Sequence, residues 1–169
     1  MTITTATPST DRYIKPDVLT VRIFNPLVAG LAKLGLSIRG SRVLEVRGRT
    51  SGEWRSVPVN PLTVDGIRFL VAPRGTTQWV RNIRAAGGGR LRKGRRTEEF
   101  TIVEVSDIDK VPMLRAYLEE WAFEVGKFFE GVTRNSTDAE LADIAPGFPV
   151  FRIVPSSVKR GGDLPDETE

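Results

Sequence analysis

The chain has no histidine and no cysteine among its 169 residues, and only two methionines and two tyrosines. Without cysteine there is no disulfide, no thiolate nucleophile and no thiolate-ligated metal. Without histidine the commonest general base and metal ligand is missing as well. Ser-His-Asp and Cys-His mechanisms are excluded, and neither a metal site nor a dedicated catalytic side chain is expected. Any chemistry rests on Arg, Lys, Tyr, carboxylates and backbone amides, or on a bound group that brings its own reactive atom. Long apolar runs are lacking too. The longest, PLVAGLAKLGL at 26–36, contains Lys33, whereas a membrane span takes about 20 apolar residues. MTITTATPSTDRYIKPD at the N-terminus has no basic stretch followed by an apolar one, the mark of a secretory signal. A cytoplasmic location without a transmembrane segment is therefore expected.

What the chain does have is arginine. Between residues 39 and 96, fourteen Arg and Lys residues stand against Glu45, Glu53 and Asp65, a local excess of +11 in a chain of formal net charge +4. Such clustering favours an anionic partner. GGGRLRKGRR, at 87–96, carries no aromatic residue, and readers of single-stranded nucleic acid interleave aromatics with basic groups; specific nucleic-acid binding is not expected. With 40% hydrophobic and 27% charged residues, the composition is that of a globular domain. We expect one domain at 17–155, between flexible tails at 1–16 and 156–169, the latter acidic.

Local signals sketch the elements. Asn25-Pro26 starts a short amphipathic helix with Leu27, Leu31 and Leu34 on one face. Residues 42–47 alternate as a strand, Ser51-Gly52 turns the chain, and RSVPVNPLTV returns as a second strand, at an edge or bulge because of Pro58 and Pro61. Asp65-Gly66 is a two-residue hairpin turn leading into IRFLVAP, which completes a three-stranded meander. TTQWVRNIRAA is a helix capped by Thr76 or Thr77 and stopped by Gly87, Gly88 and Gly89. RLRKGRRTEEF reads as a hairpin with Gly94 at its tip, followed by EFTIVEV as strand. Asp109 is expected to cap a long helix striped by Leu114, Leu118, Trp121, Val125 and Phe128. Thr137 and Glu140 form a capping-box pattern for a last short helix, and PVFRIVP is a final strand. Strands with short turns and few helices indicate an α+β, mainly antiparallel barrel with helices packed outside.

Two turns stand out chemically, GRTSGEWR and APRGTTQW. Paired as drawn they lie close together, and the second opens a helix whose free amides favour a phosphate or carboxylate. Arg49, Arg55 and Arg74, with the hydroxyls of Thr50, Ser51 and Thr76, would complete the cradle. Three or four charge-assisted hydrogen bonds at roughly 1.5 to 3 kcal/mol each match the roughly 8 kcal/mol of micromolar binding only marginally. An apolar surface for a ring is needed as well.

VLEVRGRTSGEWRSVPV followed by FLVAPRGTTQWVRNIRAAG resembles the deazaflavin-dependent nitroreductase-like family of split β-barrel oxidoreductases, related to FMN-binding barrels. The matching positions are Gly48, Arg49, Ser51, Gly52, Arg55, Pro58 and Val59, then Gly75, Trp79, Asn82, Ile83 and Ala85. The resemblance implies a six-stranded split barrel that binds coenzyme F420, a 5-deazaflavin with a phosphate and an oligoglutamate tail, with FMN as the alternative. It also implies hydride transfer to a small apolar electrophile such as a quinone, enone or nitro compound. A non-catalytic barrel holding a flavin, haem or fatty acid is the rival reading. Arg49, Thr50, Ser51, Gly52 and Arg55 would hold the phosphate, with Thr50 standing where many members have Lys or Arg. Pro58, Val59 and Asn60 would flank the ring, and Ala72, Arg74, Gly75, Trp79 and Asn82 would complete the site. Arg84, Arg90, Arg92, Lys93, Arg95 and Arg96 would line a groove for the anionic tail. Phe148, Tyr117 and Trp121 are candidates for the substrate pocket, with core packing the stronger reading of all three. Related barrels are often dimers, so a homodimer is expected by analogy.

Overall fold

The computed structural model describes residues 40–156 except residue 130. The expected helix at 26–36, the N-terminal tail and all of the C-terminal tail beyond Ser156 lie outside the described residues. Seven strands form one antiparallel sheet: β1 Arg42–Arg47, β2 Trp54–Val59, β3 Leu62–Val64, β4 Ile67–Val71, β5 Gly88–Lys93, β6 Arg96–Glu104 and β7 Val150–Pro155. Their order is β2-β1-β5-β6-β7-β4-β3. Three helices join them: α1 Gln78–Ala86, α2 Val111–Val125 and α3 Asp138–Ile144.

Seven strands stand where six were expected because RSVPVNPLTV is divided at Asn60-Pro61. Its first half pairs with β1, Val57 opposite Leu44, and its second half pairs with β4, Leu62 opposite Phe69. Proline cannot donate to a ladder, so the break falls where the chain must leave one partner for another. The meander is thus present, but its middle member serves both margins of the sheet. Since β2 and β3 are consecutive in the chain and terminal in the sheet, the sheet curls so that the Asn60-Pro61 link joins its two margins. This is the split barrel, in an α+β chain.

Alternation divides the strands between two cores. Inside the barrel, Leu44 and Val46 of β1 meet Leu91, Phe100, Phe151 and Ile153, and Val80 and Ile83 of α1 close one end. Outside it, Leu62, Phe69, Val71 and Val150 lie under Leu114, Leu118 and Trp121 of α2 and Leu141 of α3. Tyr117, Trp121 and Phe148 are all buried in this outer core, with Phe148 stacked on Phe129 at 4.4 Å. They are packing residues and not the walls of a pocket.

Only the first of the three consecutive glycines stops α1. Gly87, at φ 72°, donates its amide to the Ile83 carbonyl at 2.8 Å. Gly88 and Gly89 already belong to β5. A Cβ on Gly89 would stand 2.6 Å from the Glu45 carbonyl oxygen, and one on Gly88 2.2 Å from that of Phe100, so these two glycines let three strands pass close together. Asp109 does not cap α2. Its carboxylate accepts the Ser106 hydroxyl at 2.5 Å within a preceding 3-10 turn, Asp107–Asp109. The buried Lys110 holds the helix start, donating to Asp107 at 2.5 Å and to the Ala145 carbonyl at 3.2 Å. The Thr137–Glu140 capping box forms as expected, with the Glu140 amide 3.3 Å from the Thr137 hydroxyl and the Thr137 amide 2.7 Å from the Glu140 carboxylate.

Candidate functional site

The loop from Gly48 to Glu53 is closed by its own backbone. The Gly48 amide donates to the Glu53 carbonyl and the Gly52 amide to the Gly48 carbonyl, each at 2.8 Å, with Gly52 at φ 69°. Ser51 turns its hydroxyl inward to accept the Glu53 amide at 3.3 Å. A Cβ at Gly48 would meet that hydroxyl at 2.9 Å and the Arg55 stem at 3.7 Å, so Arg55 leaves β2 directly over the loop.

Asn82 of α1 ties this loop to the helix. Its side-chain oxygen accepts the Arg49 amide at 3.3 Å and the Arg49 guanidinium at 2.9 Å, and Gln78 accepts the same Nη1 at 3.0 Å. Asn82 is 7% exposed, so these bonds satisfy a buried amide and fix the distance between the two turns that the sequence singles out. The Arg49 Nε and Nη2 donors have no acceptor among the described residues. The amides of Thr50 and Ser51 have no acceptor among the described residues, and Arg55 is exposed and unpaired among them.

Across from this loop, Ala72 follows the end of β4 and donates its amide to the Pro149 carbonyl at 2.9 Å, and Gly75 turns the chain at φ 75°. Arg74 leans over the Phe128 ring at 5.6 Å. Thr77 is the N-cap of α1, yet its hydroxyl makes no cap bond and is buried with no partner among the described residues. A buried hydroxyl left unbonded is costly. Here it lies beside the first-turn amides, which have no intrahelical acceptor, where a phosphate oxygen would satisfy both. The donors present therefore fit an anionic group. Neither Thr77 nor Gln78 is among the expected site residues; a polar residue at a helix start has too many ordinary roles to stand out in sequence.

The ring-side candidates fall along β2. Val59 and the unforeseen Val57 face the inner core, whereas Pro58 lies on the opposite face of the strand. Asn60 follows at the break, and the β3–β4 register continued two residues back sets it across from Val71. Trp79 packs edge-on to Phe151 at 5.9 Å and 64°, so it is a margin of the inner core as much as a site wall. From Trp54 to Val59 the strand rises five steps of about 3.3 Å, which separates the anion-binding loop from the Val59–Asn60 end by roughly 16 Å.

The expected basic groove does not form as a unit. Arg84 pairs with Glu104 at 2.6 Å, Arg90 with Glu99 and Arg92 with Glu45 at 2.9 Å each. Lys93, Arg95 and Arg96 sit at the β5–β6 hairpin tip. Since Arg92 pairs with Val43 and Arg90 with Glu45, that tip is at the Arg42 end of β1, away from the 48–53 loop.

The fold is that of a split barrel, and the donors at the 48–53 loop and the start of α1 suit an anionic group. A family model described as F420H(2)-dependent quinone reductase matches residues 21–135. The chain belongs to that family; it is an oxidoreductase with F420 as its cofactor. No match was found among curated proteins. Among solved structures, the chain is similar to a domain-swapped dimer at 17% identity and TM-score 0.51, over 79% of this chain and 92% of that one. It is also similar to the protein Atu2129, of unknown function, from Agrobacterium tumefaciens str. C58, at 14% identity and TM-score 0.51, over 83% of this chain and 56% of that one. An F420-H2 dependent reductase, FDR-A, aligns at 18% identity and TM-score 0.49, over 68% of this chain and 94% of that one. At such identities the likeness bears on fold alone. Among the described residues no helix is long and apolar enough to cross a membrane.

Proposed function

We propose that F420 lies along β2, its phosphate in the 48–55 loop and its ring toward Val59 and Asn60, and that the chain reduces a small apolar acceptor there, a quinone first. The observation that carries this reading is the Arg49–Asn82 connection, which holds the donor-bearing loop beside the start of α1. Arg55, the free donors of Arg49, the Thr50 and Ser51 amides and the Thr77 hydroxyl bind the phosphate, with Gly52 shaping the loop. Ala72, Arg74, Gly75 and Trp79 bound the opposite side. Val57 and Val59, on one face of β2, offer the ring an apolar surface and exclude water from it, and Pro58 stiffens the strand from its other face. When bound, the cofactor supplies the hydride from its own ring carbon. The chain supplies position, and solvent supplies the proton that completes the reduced product, consistent with the absence of histidine. Enones and nitro compounds are further candidate acceptors by the same logic.

Titration of the purified chain with F420, followed by absorbance, tests the site. Arg55→Ala is expected to weaken binding about 10- to 100-fold, the worth of one charge-assisted bond, and added salt to weaken the wild type. An unchanged affinity in Arg55→Ala would remove the phosphate from this loop. Cytoplasmic residence and a homodimer belong to the same proposal. The dimer is supported by likeness to a solved domain-swapped dimer, and a monomer mass by sedimentation at tens of micromolar, a concentration on the order of a moderate dimer Kd, would set it aside.

A further inference from the structure

We propose that the β5–β6 hairpin tip, Lys93-Gly94-Arg95-Arg96, docks the protein on an anionic lipid surface. Lys93, Arg95 and Arg96 are exposed and have no carboxylate partner among the described residues. The acidic residues that follow them in the chain are committed elsewhere: Glu98 forks onto Arg68, and Glu99 pairs with Arg90. Among the described residues this is a cluster of like charge with no carboxylate beside it, whereas Arg68, Arg90 and Arg92 of the same sheet each have one.

Position argues for what covers it. Arg42 is the partner of Val59 on one side, and the β1–β5 register places Lys93 beside Arg42 on the other. The tip therefore starts two strands, about 10 Å, from the Val59–Asn60 end of β2. The proposal rests on the reading that the cofactor ring lies at that end and its phosphate at the other. An oligoglutamate tail continues beyond the phosphate, away from the ring, so these cations are on the wrong side to receive it. They are on the right side to bring the ring end to a surface in which an apolar quinone is dissolved. Near an anionic bilayer each Lys or Arg strengthens binding about fivefold, on the order of 100-fold for three.

The test is co-sedimentation of the full chain with vesicles of phosphatidylglycerol and phosphatidylcholine in equal parts, against phosphatidylcholine alone. Wild type is expected to bind the anionic vesicles and to release at high salt. The triple variant Lys93→Ser, Arg95→Ser, Arg96→Ser is expected to bind on the order of 100-fold less tightly, with unchanged circular dichroism and unchanged F420 affinity. Equal sedimentation of variant and wild type overturns the proposal. So does a loss of F420 affinity in the triple variant, which would return the tip to the cofactor tail, and so does equally tight, equally salt-sensitive binding of wild type to duplex DNA. Vesicle binding is read without turnover, so a chain that reduces no quinone refutes the substrate reading and leaves the docking test standing.

Discussion

Thr77 begins α1 with its hydroxyl buried and unbonded, which separates two roles that usually coincide. An N-cap threonine that bonds its helix contributes about 1 kcal/mol to stability; this one makes no such bond. Thr77→Val keeps the shape and removes the orphan. The melting temperature is expected to stay the same or rise slightly, while F420 affinity falls about fivefold to tenfold, the value of one net hydrogen bond. Calorimetry and the absorbance titration read the two separately, and a loss of stability with unchanged affinity would make Thr77 a plain cap. Arg49 and Asn82 show how far residue-level reading reached. Both are legible in the motif, as members of the site. That they bond each other across 33 residues of chain is not, because periodicity and turn chemistry describe neighbours in sequence and this contact exists only after the barrel closes.

Among the elements, the Asp65-Gly66 hairpin turn and the Thr137 cap were legible because their causes are local, whereas Asp109 belongs to a 3-10 turn ahead of its helix. Asp65 at φ 50° and Gly66 at φ 77° make the expected two-residue turn, and Thr137 caps α3 as its spacing predicts. The glycine run was legible only in part. Gly87 acts through its own dihedral angle, whereas Gly88 and Gly89 act through strands that lie far away in sequence. Substitution should distinguish them. Gly87→Ala meets nothing within 4 Å but holds a positive φ, so it should cost about 1 kcal/mol. In Gly89→Ala the new methyl group would meet the Glu45 carbonyl at 2.6 Å and force β1 from β5, at about 3 kcal/mol. Chemical denaturation measures both. If Gly89→Ala proved no worse than Gly87→Ala, the close passage of the strands would be wrong.

For the molecule as a whole, the sequence pattern implied a barrel but not how it closes. Closure depends on the division of one strand at Asn60-Pro61 and on contacts between strands that are not neighbours in the sheet. Arg68 of β4 and Glu98 of β6 make one such contact past β7, a forked pair whose Arg68 Nη1 to Glu98 distance is 2.8 Å. The Arg68 hydrogen bonds, more than its charge, hold the Glu98 carboxyl below the usual carboxylate range, against a smaller opposing effect of burial; the same bonds raise Arg68. A carboxyl with a depressed pKa in the folded state adds stability that is fully present above its unfolded value, near 4.3, and is lost as the pH falls through the folded value. Arg68 stays charged throughout this range. Both side chains are about one-third or more exposed, at 33% and 42%, so screening limits the pair to less than about 1 kcal/mol. Glu98→Gln should therefore lower stability by a few tenths of a kcal/mol at neutral pH. The stability curves of variant and wild type should converge once the pH is taken well below 4.3, where the wild-type carboxyl also becomes neutral. A gap between the curves that persists undiminished in acid would mean that Glu98 contributes through packing and not through its charge. The bond past β7 would then be a consequence of barrel closure, with no part in stabilising it.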